Sequence, residues 1–293
     1  MIRAAQPPSG LTPRGSSLFC DTALAARIEG AEVRLIATAN AAARLRRSDV
    51  SGFVIPVAGG VASFAEEGSP FNKVAGVGFG GVPSTAELDE VERAFAARGA
   101  AVQVELAHLA DPTIATLLTE RGYQLVSFEN VLGLALEGEH RRITPAGVEI
   151  RTSGESEFGQ WLDVMAAGIS HPDTEGVPSH EDFARDVVMG AMRDLAGAVD
   201  VGRYVALHDG VLAGGASMRR SEGVAQLTGA ATVPAHRRHG IQTALLAARI
   251  ADAAAAGCDI AVITTQPGSR SQQNAQRAGF DLLYTRAVLV RQP

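Results

Sequence analysis

The sequence predicts an α/β protein, a mixed sheet flanked by helices, built as two successive copies of one fold. Three observations predict it. First, β-branched runs alternate with capped amphipathic helices along the 293 residues. Second, EGEHRRITPAG (137–147) breaks that pattern with charge, proline and glycine, and divides the chain into domains at 1–140 and 147–293. Third, both halves close on the same cadence: strand, short helix, then R-x-G-aromatic and an aliphatic strand. Arg121-Gly122-Tyr123 answers Arg277-Ala278-Gly279-Phe280.

The elements of the first half follow from local signals. A Pro/Gly/Ser-rich lead to Ser17 precedes a mixed stretch to Arg47. GFVIPVAG (52–59) and VAGVGFGG (74–81) are β-branched, glycine-punctuated strands. STAELDEVERAFAARG (84–99) has a serine cap, acidic first turns and Leu88, Val91 and Phe95 on one face, which makes a helix. VQVEL (102–106) is a strand, and DPTIATLLTERG (111–122) a helix with Asp111 as cap and Pro112 first. YQLVSFENVLGLAL (123–136) is a long strand or a hairpin.

In the second half VEIRT (148–152) is a strand, followed by helices at 157–169 and 181–195 around the loop HPDTEGVPSH (171–180). RYVALHDGVLAGGASMRR (203–220) is a hairpin turning on Asp209-Gly210. VAQLTGAATV (224–233) is a strand, 241–257 a helix, IAVITT (260–265) a buried strand, 271–279 a helix and LLYTRAVLV (282–290) the last strand.

Composition narrows the function. Hydrophobic residues at 46% and charged residues at 20% describe a globular chain with a core. A net charge of −6 argues against nucleic acid as a partner, so anion binding should be local. No apolar run is long enough for a bilayer, and the first ten residues lack a signal-peptide core, so a cytoplasmic location and no membrane partner are expected. Cys20 and Cys258 lie far apart without metal-ligand spacing, and no metal is expected. Lys73 is the single lysine among many arginines, and reads as compositional bias.

The informative stretch is GAATVPAHRRHGIQTALL (229–246). A strand ends at Thr232-Val233-Pro234, a basic turn follows, and a helix starts near Gly240. The first N–H groups of a helix lack internal partners and sit at the positive end of its dipole, so this turn is either an anion site or a basic loop that merely caps a strand and stays solvated. Gly240 permits close approach, and Arg237, Arg238 and His239 add local positive charge.

This stretch resembles the signature of the GNAT N-acetyltransferase superfamily, Arg/Gln-x-x-Gly-x-Gly/Ala, here Arg237-Arg238-His239-Gly240-Ile241-Gln242. The order of elements over 148–290 is also similar to that family, whereas the first half looks like a degenerate copy. The resemblance implies tandem domains, each with a mostly antiparallel central sheet flanked by helices. It implies acetyl-CoA as cosubstrate and a small-molecule primary amine as acceptor. It also implies a coenzyme site made by Ala230, Ala231, Thr232 and Val233 on the strand and by Arg238, His239, Gly240, Ile241, Gln242 and Thr243 on the loop, with Ser271 and Asn274 on the next helix. Whether the chain forms a homodimer stays open.

Two departures matter. Gln242 replaces the second Gly/Ala, and the family's usual tyrosine acid falls on Ala275. The nearest tyrosine is Tyr284, either the acid toward the leaving thiolate or an aromatic of the core or pocket wall. For the base, His171, Asp173, Glu175 and His180 border the expected acceptor site, unless they are solvated loop residues; Glu222 and His208 are turn-associated and less suited. In the first half the corresponding loop runs GFGGVPSTAELDE, whose Glu87, Asp89 and Glu90 would repel a diphosphate, so no coenzyme is expected there. The alternatives to an enzyme are a non-catalytic acyl-CoA sensor and a scaffold protein.

Overall fold

The structure is a computed structural model and describes residues 17–48, 52–171, 177, 183–197 and 201–293. The chain opens with α1 (Thr22–Arg47), then β1 (Phe53–Val57), β2 (Gly60–Phe64), β3 (Lys73–Ala75), α2 (Thr85–Ala96), β4 (Val102–Ala107), α3 (Thr113–Glu120) and β5 (Gln124–Ala135). The second half contains β6 (Val148–Thr152), α4 (Phe158–Ile169), α5 (Arg185–Ala196), β7 (Val201–His208), β8 (Val211–Ser221), β9 (Val224–Gln226) and β10 (Ala230–Thr232). It ends with α6 (Ile241–Ala255), β11 (Ile260–Thr265), α7 (Arg270–Arg277) and β12 (Asp281–Arg291).

All strands join one sheet in the order β1-β2-β3-β4-β12-β5-β11-β9-β8-β7-β6, with β10 paired to β8. The pairings are antiparallel except β3 with β4 and β9 with β11. The two halves exchange their final strands. β12 lies between β4 and β5, and β5 lies between β12 and β11. Neither half therefore completes its sheet from its own sequence, and residues of both meet at the centre.

Neighbouring strand residues alternate between the sheet's two faces. Beside Gly215 stand Met165 and Trp161 of α4, and beside Gly214 stands Ile241 of α6. Leu35 and Ile36 of α1 pack on Val61 and Ala75, whereas Leu88 and Val91 of α2 pack on Ala62 and Val74. So α1, α4 and α5 cover one face, and α2, α3, α6 and α7 the other.

Several elements differ from the sequence expectation. The stretch to Arg47 is the 26-residue helix α1, capped by Asp21. Its apolar stripe is diluted because Glu29 and Asn40 are buried, Asn40 donating to the Phe64 carbonyl. The expected strand 74–81 ends at Ala75, since Gly76, Gly78 and Gly81 adopt positive φ and turn the chain. The segment 123–136 resolves as one long strand. The strand expected over 224–233 is broken at Leu227–Gly229 into β9 and β10.

Candidate functional site

The break in that strand creates the site. β9 runs parallel to β11 through Val224↔Ile260 to Gln226↔Val262, with one further bond from the Leu227 N–H to the Val262 carbonyl at 2.8 Å. Beyond it β10 continues along β8 alone, so β10 and β11 splay apart. The carbonyls released by the break are held by Arg249 of α6, which donates to Ser217 and Thr228 at 3.0 Å each. Arg249 is fully buried, and burial pulls its guanidinium down to about 10.

Gly229 and Val233 pair with Ser217 and Ala213 of the β8 strand. Antiparallel strands bond at alternate residues, so Ala231 also faces β8, while Ala230 and Thr232 direct their main-chain groups to the gap. Of the four strand residues expected at the coenzyme, then, Ala231 and Val233 are committed to the sheet. Ala231 is also pressed against Gly168 of α4, where an added Cβ would come within 2.5 Å. Thr232 Oγ1, Thr265 Oγ1 and Gln266 Oε1 are buried without a hydrogen-bond partner, on the two strands that part and the turn after β11.

α6 begins at this gap. Its cap, Gly240, has φ +79°, no side chain caps the helix, and no acidic residue stands in the first turn. The N–H groups of Ile241, Gln242 and Thr243 thus open the helix without internal acceptors. The missing Cβ of Gly240 faces Pro145 of the segment between β5 and β6, 2.9 Å from its Cγ, so this glycine is required by its φ and by chain packing. Arg237 is turned inward, donating to the carbonyls of Gly168 and His171, and braces α4 against the loop. Arg238, with φ +69°, and His239 remain on the loop, and the His239 ring lies 4.3 Å from that of His208. On α7, Ser271 is exposed and Asn274 half-buried, while Ala275 packs in the core beside α6.

On the α1 face, β11 and the break segment between β9 and β10 border a cavity of about 320 Å³. Gln226 to Gly229 and Val262 and Thr264 form the wall toward the splay. The far wall carries Glu32 of α1, Lys73 of β3, Glu105 of β4, Glu129 of β5 and Arg286 of β12. Lys73 pairs with Glu105. Arg286 Nε lies 2.8 Å from Glu29 Oε1, and its Nη1 is 3.5 Å from both Glu105 and Glu129. Burial opposes the Lys73 charge, yet Glu105, Glu129 and Glu32 hold it protonated above the usual lysine range. Burial would raise Glu105 too, but Lys73 and Arg286 bring it below the usual carboxylate range. Glu129 goes the other way: burial, then the Glu105 charge, pushes it up to about 7. Burial raises Glu32 as well.

Tyr284 is not on this wall. Its side chain is 1% exposed among Ile28, Val131 and Val224, and its hydroxyl donates to Glu29 Oε1 at 2.6 Å. A group that protonates a leaving thiolate must reach it, so this placement removes Tyr284 as the acid. Of the expected bases, His171 is exposed beside Arg237, and Asp173, Glu175 and His180 lie outside the described residues. His208 packs with His236 and His239, and Glu222 pairs with Arg34. Sequence reading missed all five charged cavity residues. Their signal was a lone charge inside an apolar strand, as in VQVEL and LLYTRAVLV.

The start of α2, in the first half, contrasts with α6. Ser84 and Glu87 form a capping box, and Glu87 also accepts from the Ala58 N–H at 3.4 Å. These bonds to Ser84 and Ala58 hold the Glu87 carboxyl below its usual range.

Residues 169–280 match the Acetyltransferase (GNAT) family. Among solved structures, the chain is similar to a GCN5-related N-acetyltransferase from Kribbella flavida, 22% identical over 92% of this chain and 96% of that one, TM-score 0.66. It is also similar to a tandem GNAT protein from the clavulanic acid biosynthesis pathway, 15% identical over 87% of each chain, TM-score 0.58. A GCN5-related N-acetyltransferase from Sphaerobacter thermophilus aligns at 15% identity over 71% of this chain and 67% of that one, TM-score 0.54. At these identities the likeness is one of fold. No curated protein matches the chain in sequence.

Proposed function

We propose, from the match of residues 169–280 to the Acetyltransferase (GNAT) family, that the protein is an acetyl-CoA-dependent N-acetyltransferase acting on a small amine. The observation that carries this reading is the continuity of the splayed strands with the charged cavity. The break where β10 and β11 begin to part lines a chamber whose walls include Leu227 to Gly229, β11 and a carboxyl poised near neutrality.

The residues present fit coenzyme A. The N–H groups of Ile241, Gln242 and Thr243, with Arg238 and His239, would hold its pyrophosphate. The main chain of Ala230 and the N–H of Thr232 would pair with its arm, and the unpartnered Thr232 and Thr265 hydroxyls supply further polar contacts. The coenzyme would supply an acyl group activated as a thioester.

The chain's own residues supply the rest. Glu129 accepts a proton from the acceptor's ammonium, freeing the nitrogen lone pair to form the amide bond as the carbon–sulfur bond breaks. A carboxyl at about 7 suits this task, being about half ionised at neutral pH and basic enough to take the proton. The departing sulfur takes its proton from solvent or from the acidified nitrogen, since Tyr284 is engaged with Glu29. Lys73 and Arg286 keep Glu105 ionised, and Glu105 in turn holds Glu129 up.

The test is thiol release from acetyl-CoA in the presence of an amine, with the acetylated amine identified by mass. Coenzyme A binding without thiol release for any amine would favour the second reading, an acyl-CoA sensor, which the core position of Ala275 supports.

A further inference from the structure

The cavity's carboxyls are unevenly matched with its cations. Glu105 has Lys73, and Arg286 turns its Nε to Glu29 behind the wall. Glu129 is left with Arg286 Nη1 at 3.5 Å, a distance shared with Glu105. Among the described residues Glu32 has a neutral partner, the Gln226 amide at 3.0 Å, and no ion pair. Arg219 stands behind that amide, bonded to Gln226 Oε1 and the Ala31 carbonyl. A second mark of a missing donor is Glu105 Oε2. It belongs to a side chain 1% exposed that lines the cavity, has no hydrogen bond, and meets a cation only at 3.5 Å, the Arg286 Nη1 it shares with Glu129.

A buried carboxylate is costly unless a cation or several donors offset it. Glu32 and Glu129 lie in one chamber on different elements, one on α1 and one on β5, with the splay opening between β10 and β11. We propose that the acceptor carries two cationic groups, a small diamine being the simplest case, with its reacting amine at Glu129 and its second ammonium at Glu32. This rests on the acetyltransferase reading and adds the charge class of the acceptor. It makes Glu32 the residue that sets specificity. An amine ending in a carboxylate would bring like charge against Glu32, and a plain alkylamine would leave that carboxyl unmatched. A cavity of about 320 Å³ suits a molecule of this size.

The experiment measures binding first and turnover second. Linear diamines of three to six carbons, the matching monoamines, and 4-aminobutyrate are titrated into the full chain by calorimetry at about pH 8. There the amines are still cationic. At least one diamine should bind about tenfold or more tighter than its monoamine, and 4-aminobutyrate weaker than either. In Glu32→Gln that ratio should fall below about threefold while the melting curve shows a folded protein. Equal affinity for diamine and monoamine, no diamine binding, or a ratio unchanged in Glu32→Gln overturns the proposal. Acetylation assays separate the two layers. A selective diamine site with no acetyl transfer would sink the enzyme reading alone, and equal acetylation of monoamine and diamine would sink the charge class alone.

Discussion

α2 and α6 occupy the same place in the two halves, each the crossover between parallel neighbours, β3 to β4 and β9 to β11. Their first turns have opposite fates. α2 consumes its own donors through the Ser84–Glu87 box and keeps a carboxylate at its positive end. α6 starts on a glycine with no capping side chain and no acid in its first turn. Two chemical choices at one backbone position separate a closed helix end from an anion site. What the first half gave up there it returns at the centre, since Lys73, Glu105 and Glu129 all come from its strands. On the proposed function the comparison teaches a division of labour: the second half would hold the cosubstrate, and the first would supply the acid–base chemistry.

The largest effect should follow from breaking that division on the first-half side. Glu129→Gln should lower kcat by about 10²–10⁴-fold, the range for loss of a general base, while coenzyme A affinity stays near wild type. In the wild type, kcat/KM should rise with pH around a midpoint near about 7, because the carboxyl must be ionised to accept the proton. The variant should lose that limb. A retained limb would move the base to His171 or its loop.

Next in size is a break on the second-half side. Gly240→Asp places a carboxylate at the α6 cap, bringing negative charge to the helix start as Glu87 does at α2, and should weaken coenzyme A by about a hundredfold. Gly240→Ala controls for the φ of +79° and the contact with Pro145. It should cost less than about tenfold, and equal losses in the two variants would show that charge at the helix start is irrelevant.

The two sides of this division were not equally legible. The α6 start was readable because its signals are contiguous: strand, proline, basic turn, glycine, helix. The cavity was not, because its charges come from α1, β3, β4, β5 and β12, and meet through strand exchange between the halves. No local pattern encodes that β12 enters between β4 and β5. The single lysine, read as compositional bias, sits on the cavity wall. α1 escaped for a related reason, since its Glu29 and Asn40 serve the interior and blur the helical stripe that marks a surface helix. The stretch 224–233 reads as strand in sequence, but the break at Leu227–Gly229 that decides which residues face the gap is a property of pairing.

Tyr284 sharpens the same point at smaller amplitude. Tyr284→Phe should leave kcat within about threefold of wild type, since the hydroxyl serves Glu29 and not the cavity. Stability should fall by about 1.5–3 kcal/mol, because the Glu29 carboxylate loses a buried donor. A tenfold drop in kcat with unchanged melting would return Tyr284 to the catalytic list.

The smallest effect expected is at α2 itself, where the comparison can be tested in reverse. Ser84→Ala removes the side chain that accepts from the Glu87 N–H and should lower the Tm by roughly 1–4 °C. It should not create a second coenzyme site. The Glu87 N–H is freed, but the Glu87 carboxylate would still bond the N–H of Ser84 and Ala58, so negative charge remains at the helix end. Asp89 and Glu90 remain close by. Calorimetry with coenzyme A should thus return one site per chain both before and after the change. Ser84→Ala with Glu87→Gln goes one step further, removing the cap and the charge together. If that double variant binds a second equivalent of coenzyme A, the first half kept a latent site and capping alone closed it. If the stoichiometry stays at one, the loss in the first half is deeper than its cap. The tight Gly59–Gly80 contact, where an added Cβ would come within 2.8 Å of the opposite backbone, then becomes the next feature to open.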